Sequence, residues 1–140
     1  MIKVDLNKLE LNEFIAKENP GQRAKATFPM LGAHGTKNSA TVFVQLDPNE
    51  ELGKHTDSAE ELLLILEGTI EAEIGDEKGV ASKGELVLVP KMVPHNFKNI
   101  GEDTVKVLGF FGGANNIVAT FENVWWPTES NMVDTSAVPE

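Results

Sequence analysis

The chain reads as an all-β protein, a small barrel or sandwich built from short strands. Three observations predict this. Apolar alternation and β-branched residues dominate a series of short runs from Ala24 onward. Turn-forming residues separate those runs at close, regular spacing. Only one stretch, 9–17, carries a helical pattern, with Asn7 as its cap.

In chain order, residues 1–23 are read as an N-terminal arm that contains this helix. The first strands are placed at 24–28 and 41–46, and Asp47-Pro48-Asn49 then breaks the chain. Strands 61–66 and 69–74 flank Glu67-Gly68, and Gly75-Asp76 closes the second of them. Lys83-Gly84 introduces strand 86–89. Strand 95–99 ends at Asn99-Ile100-Gly101, and strands 105–111 and 117–121 complete the set. The barrel is therefore placed at 24–121 and a tail at 122–140. The tail turns polar and loses its period from Pro127, as a loose end or a strap over a neighbour would. Ile117, Val118, Phe121, Val124, Trp125 and Trp126 exceed the apolar needs of one small barrel, which predicts a homodimer. The adjacent tryptophans read as a packed lid or subunit contact.

A length of 140 residues suits a single domain with a real core. The formal net charge of -10 makes nucleic acid and anionic membranes poor partners. The absence of cysteine removes disulfides, thiolate metal sites and thiol nucleophiles. No apolar run is long enough for a membrane span, and the start of the chain lacks the apolar core of a signal peptide, so a cytoplasmic location is the expectation.

The chemistry concentrates in two stretches. Gly53 to Gly68 contains His55, Asp57, Glu60 and Glu61, and Gly84 to Asn99 contains His95. Histidine with nearby carboxylates, met by a distant histidine, is the material of a divalent-metal site with nitrogen and oxygen ligands. In an extended segment, residues i and i+2 share a face, so His55 and Asp57 point the same way. Glu61 shares its face with Leu63 and Ile65. A carboxylate turned into a barrel is costly unless a cation or hydrogen bonds satisfy it. Pro94 biases Val93 towards extended geometry and so helps to aim His95. The set suits Fe(II), Mn(II), Zn(II) or Ni(II), with coordination positions left for water or substrate.

These stretches resemble the two motifs of the cupin superfamily, G-x5-H-x-H-x3-4-E-x6-G and G-x5-P-x-G-x2-H-x3-N. His55, Glu61 and Gly68 match the first, with Asn49 in place of its opening glycine and Asp57 in place of its second histidine. Gly84, Pro90, His95 and Asn99 match the second, with Met92 in place of its middle glycine. The resemblance covers about residues 40–111. It implies a double-stranded β-helix, or jelly-roll, barrel with His55, Asp57, Glu61 and His95 directed at one divalent transition metal. It implies no single reaction, because the barrel serves many. Two histidines with two carboxylates bring a divalent ion to formal neutrality, a weaker Lewis acid than three histidines and a glutamate would give. Asp57 is alternatively a residue that orients His55 or a bound water.

A small-molecule ligand or substrate is expected. A metal-dependent dioxygenase, a lyase, isomerase or decarboxylase, and a non-catalytic ligand-binding or sensing module all fit the sequence. His34 is a candidate general acid or base at the barrel mouth, or a solvated loop residue. Phe43 and Gln45, on one face of their strand, are expected to line the substrate pocket with Leu63 and Phe111. Val42 and Val44 lie on the opposite face.

Overall fold

The computed structural model describes residues 1–137, and its strands join in one sheet of twelve. Strands β1 (Asn12–Ala16), β2 (Asn19–Thr27) and β3 (Ser39–Leu46) lead to the short β4 (His55–Asp57). Then come β5 (Glu61–Glu67), β6 (Thr69–Ile74), β7 (Glu77–Ser82) and β8 (Leu86–Val89). The chain ends with β9 (His95–Asn99), β10 (Val105–Gly112), β11 (Val118–Trp126) and β12 (Ser130–Asp134). The spatial order is β7-β6-β9-β4-β11-β1-β2-β3-β10-β5-β8, with β12 laid on β11, and every strand pair is antiparallel. The sheet curls into a nearly closed barrel, as the sequence predicts.

Alternation decides what faces inward. Along β5, Glu61, Leu63 and Ile65 are buried, whereas Leu62 is exposed and Leu64 and Leu66 are half-buried. Along β9, His95, Phe97 and Asn99 turn inward. One buried cluster gathers Leu46, Ile65, Ile70, Phe97 and Val105, and a second gathers Leu31, Ala40, Phe111 and Ile117. Asn99 bridges the end of β9 to its neighbours and is fully buried. Its amide donates to the carbonyls of Leu46 (3.0 Å) and Asp103 (2.9 Å), and its oxygen accepts from Gly101 N–H (2.9 Å).

The helix expected over 9–17 is not formed. Asn12–Ala16 is strand β1, paired with both β2 and β11. Two neighbouring ladders outweigh the weak helical preference of so short a segment. The local turn is instead a 3-10 turn at Leu6–Lys8, where the Asp5 carboxylate accepts from Asn7 N–H at 2.9 Å. Asn7 therefore lies inside the turn rather than capping a helix. The chain read as an arm thus enters the sheet before residue 24. The chain read as a tail also enters it: β11 continues to Trp126 and β12 pairs back on it. Residues 138–140 lie outside the described residues.

Of the six residues read as apolar surplus, Ile117 and Trp125 are buried within the barrel, whereas Val124 and Trp126 are exposed. Exposed apolar side chains gather elsewhere, on the outer face of β5, β8 and β10. Leu62 lies opposite Phe110 on one side and Leu88 on the other, and Leu86 follows on β8.

Two departures from the motif pattern sit in left-handed backbone. Asn49 has φ 69° and Met92 has φ 62°, at the two positions where the resembled motifs carry glycine. Asn tolerates this region better than most residues, and Met does not, so Met92 stores local strain of about 1 kcal/mol.

Candidate metal centre

Strand β4 lies between β9 and β11, and this position assembles the site. His55 is in register with His95 on β9 and with Phe121 on β11. Because β4 is extended, Asp57 falls on the same inward face as His55. The ligand atoms of His55, Asp57 and His95 lie within 4.8 Å of one another, and all three residues are buried. Asp57 Oδ2 is 3.0 Å from His95 Nε2 and 3.9 Å from His55 Nε2. Glu61 Oε1 is 3.9 Å from His95 Nε2. The structure thus brings His55, Asp57 and His95 into one tight group, with Glu61 beside His95.

Each imidazole is aimed by its own strand. His55 Nδ1 is 2.9 Å from Gly53 O, and His95 Nδ1 is 2.8 Å from Val93 O. A carbonyl only accepts, so each Nδ1 carries the hydrogen and each neutral ring keeps a lone pair on Nε2. Those lone pairs face carboxylate oxygens, which are also electron-rich. His95 Nε2 is buried without a hydrogen bond, because its approach to Asp57 is close but poorly aligned. Two acceptors facing each other in an apolar interior call for a cation between them. The residues present therefore fit a divalent ion.

The rings are further held by stacking. His55 packs on Phe121 with centroids 4.6 Å apart and planes tilted by 18°. His95 approaches Phe97 at 5.4 Å. Met92 N–H donates to Asp57 O at 3.0 Å, tying the loop before β9 to β4.

Burial dominates the titration of the site. It drives His55 down to about 4, against the raising effect of Asp57. It holds Glu61 well above the usual carboxylate range, and the nearby charge of Asp57 adds to this. In the metal-free protein Glu61 keeps a proton that the unfolded chain loses near 4.5, so its contribution to stability falls as pH rises above that value. His55 works in the opposite direction: the unfolded chain gains a proton near 6.5, and stability falls as pH drops from there to about 4. A divalent ion favours ionised Glu61 and neutral imidazoles. The gain in melting temperature on adding Mn(II) is therefore expected to grow as pH rises from about 4, where buried His55 loses its proton, towards neutrality. Thermal melts with and without the ion check this, and a gain that shrinks over that range would contradict it.

Gly109 is a site residue that the sequence reading did not single out. A β-carbon there would collide with Glu61 Oε2 and lie 2.9 Å from Val42 Cγ1. The bare backbone of β10 makes the space in which the Glu61 carboxylate rests. Gly109→Ala is expected to displace Glu61, lower metal affinity and cost about 1–3 kcal/mol in stability. Denaturant unfolding paired with Mn(II) titration measures both effects.

The site opens into a cavity of about 840 Å³, measured out to its mouth. Leu63 and Phe111 lie in its wall, and Phe43 and Gln45 do not. Val42 and Val44, on the other face of β3, form that part of the wall. Alternation alone leaves open which face of a strand turns inward, and here Phe43 is buried away from the cavity. His34 sits in the 3-10 turn Gly32–His34, exposed and outside the cavity wall. Its Nδ1 accepts from Leu31 N–H at 3.0 Å, which is a local turn-closing bond. Phe121, Trp125 and Thr128, from beyond the two motifs, complete the wall.

A family model described as "Cupin domain" matches residues 42–111. An uncharacterized protein of Methanocaldococcus jannaschii is 36% identical over 75 residues, which is 53% of this chain and 59% of that protein. The match thus spans about three fifths of that relative's length. Among solved structures, a protein of Acidithiobacillus ferrooxidans provisionally named a sugar phosphate isomerase superposes with a TM-score of 0.68. It is 17% identical, and the match covers 99% of this chain and 96% of that one. The polyketide cyclase RemF of Streptomyces resistomycificus gives a TM-score of 0.65 at 20% identity, over 80% of this chain and 79% of that one. At such identities these structures show a shared fold.

Proposed function

The chain belongs to the cupin domain family, and from that premise we propose that it holds one divalent transition metal and offers open coordination positions of that ion to a small organic molecule. One observation carries the reading: two imidazoles with their Nδ1 atoms tied to backbone carbonyls present Nε2 lone pairs to buried carboxylates, and His95 Nε2 has no hydrogen bond. His55, Asp57 and His95 would hold the ion, with Glu61 as a fourth ligand. The bound metal would supply Lewis acidity and, as Fe(II) or Mn(II), redox chemistry with dioxygen. A metal-dependent dioxygenase is the first reading of the activity.

A second reading, a lyase, isomerase or decarboxylase, draws on Glu61. In it Glu61 stays off the ion, as a buried carboxyl at the cavity wall placed to give or take a proton beside a metal-bound substrate. We also propose a homodimer, supported by the exposed apolar face that carries Leu62, Leu86, Leu88 and Phe110.

Metal analysis by mass spectrometry, after expression in medium supplemented with iron, manganese and zinc, tests the metal reading. About one divalent transition metal per chain is expected. A site that is empty and also refuses added metal would refute it. The same protein tests Asp57. As a ligand, Asp57→His adds imidazole and one formal charge and is expected to shift preference from Mn(II) towards Ni(II) and Cu(II). As an orienting residue, Asp57→Asn keeps the metal but loosens it ~10–100-fold. Competition titrations on the two variants separate these outcomes.

A further inference from the structure

The cavity wall is unlike that of a site for small anions. Six of the chain's nine aromatic residues line it: Phe14, Phe28, Phe97, Phe111, Phe121 and Trp125. Among the described residues, its only ionisable or hydroxyl side chains are His55, Asp57, Glu61 and Thr128, with no lysine or arginine. The basic residues of the nearest strand are not drawn in, because Ala24 and Ala26 of β2 face the cavity and alternate with Arg23 and Lys25. An anionic ligand would meet Asp57 and Glu61 with nothing but the ion to offset them. A carboxylate dianion or a phosphate ester requires charge-assisted donors, which this wall lacks.

A second observation concerns the far side of the site. Trp125 is buried in the cavity wall, and its indole Nε1–H has no hydrogen-bond partner. Buried Trp N–H groups ordinarily find one. Phe121 separates this donor from the metal ligands, stacking on His55 and meeting Trp125 edge-on at 5.4 Å. The cavity therefore offers an ion-binding end and an aromatic body, while the Trp125 donor is itself enclosed within the wall.

We infer that the cavity takes a neutral, largely apolar, ring-bearing molecule, with a chelating pair of oxygens at the metal. This deepens the metal reading above and rests on it for the chelating end. The apolar body rests on the wall alone.

Calorimetric titration of the Mn(II)-loaded protein tests the inference with three probes: 1-hydroxy-2-acetonaphthone, a neutral chelating aryl ketone, then oxalate and glucose 6-phosphate. The ketone is expected to bind at least about 100-fold more tightly than either anion, through burial of its rings. Equal or tighter binding of oxalate or the sugar phosphate overturns the ligand class, as does a ketone that fails to bind. The same titrations on chelator-treated protein keep the two readings apart. A protein that refuses Mn(II) yet still prefers the ketone would sink the metal reading and support the apolar ligand. A protein that takes Mn(II) but prefers oxalate would do the reverse.

Discussion

His95→Ala is expected to lower divalent-metal affinity by more than about 100-fold, beyond the loss typical of residues that merely support a ligand. His95 is the most enclosed member of the group, at 1% exposure, and its Nε2 lies within 3.9 Å of both Asp57 and Glu61. Its removal leaves two buried carboxylates with one imidazole between them. An ion there would lose a nitrogen donor, and the space would admit water. Because metal bound only to the native state raises its stability, the variant should also lose the metal-dependent rise in melting temperature. Its metal-free melting point should stay closer to that of metal-free wild type, since the imidazole's hydrogen bond runs only to Val93 O. Calorimetry and paired thermal melts measure both quantities. A variant that keeps wild-type affinity would place the ion elsewhere.

Asn99→Ala is expected to give the largest loss of stability, about 3 kcal/mol, with a fall in melting temperature on the order of 10 °C. The side chain makes three hydrogen bonds where water does not reach, and alanine leaves the carbonyls of Leu46 and Asp103 and the Gly101 N–H without that partner. Metal affinity should change little, since Asn99 lies at the opposite end of β9 from His95. Denaturant unfolding with a parallel Mn(II) titration checks the pair. A loss below about 1 kcal/mol would mean that relaxation or water replaces the bonds. The pattern His95-x3-Asn99 thus divides its labour: one residue would face the ion and the other fastens the strand.

The barrel was legible wherever alternation was strong. Strands β5, β6, β8 and β9 follow from the residues that flank their turns, and parity within each strand puts His55 with Asp57, and Glu61 with Leu63 and Ile65, on one face. What escaped sequence reading has physical causes. β1 is too short and mixed for its period to decide between helix and strand, and only its two neighbours settle it. β7 is polar and largely exposed at one end of the sheet, so it shows no apolar row. The direction in which β3 faces is a tertiary fact, which is why Val42 and Val44 rather than Phe43 and Gln45 reach the cavity. Gly109 is invisible for a different reason. Its role is to be absent beneath a carboxylate that lies far from it in sequence, and only the pairing of β10 with β5 brings the two together.

The bonds from His55 Nδ1 to Gly53 O and from His95 Nδ1 to Val93 O have a kinetic meaning. Each runs to a carbonyl only two residues earlier in the same chain, so each ring is oriented by local backbone rather than by the ion. The rotamer freedom of both donors is surrendered when the barrel folds, before any metal arrives. Capture of an ion would then require no search for side-chain geometry. Association would be a matter of the ion exchanging its own water for waiting nitrogen and oxygen atoms, and release a matter of how tightly those atoms grip. Exchange of one metal for another would proceed in a folded barrel, without passing through an opened one.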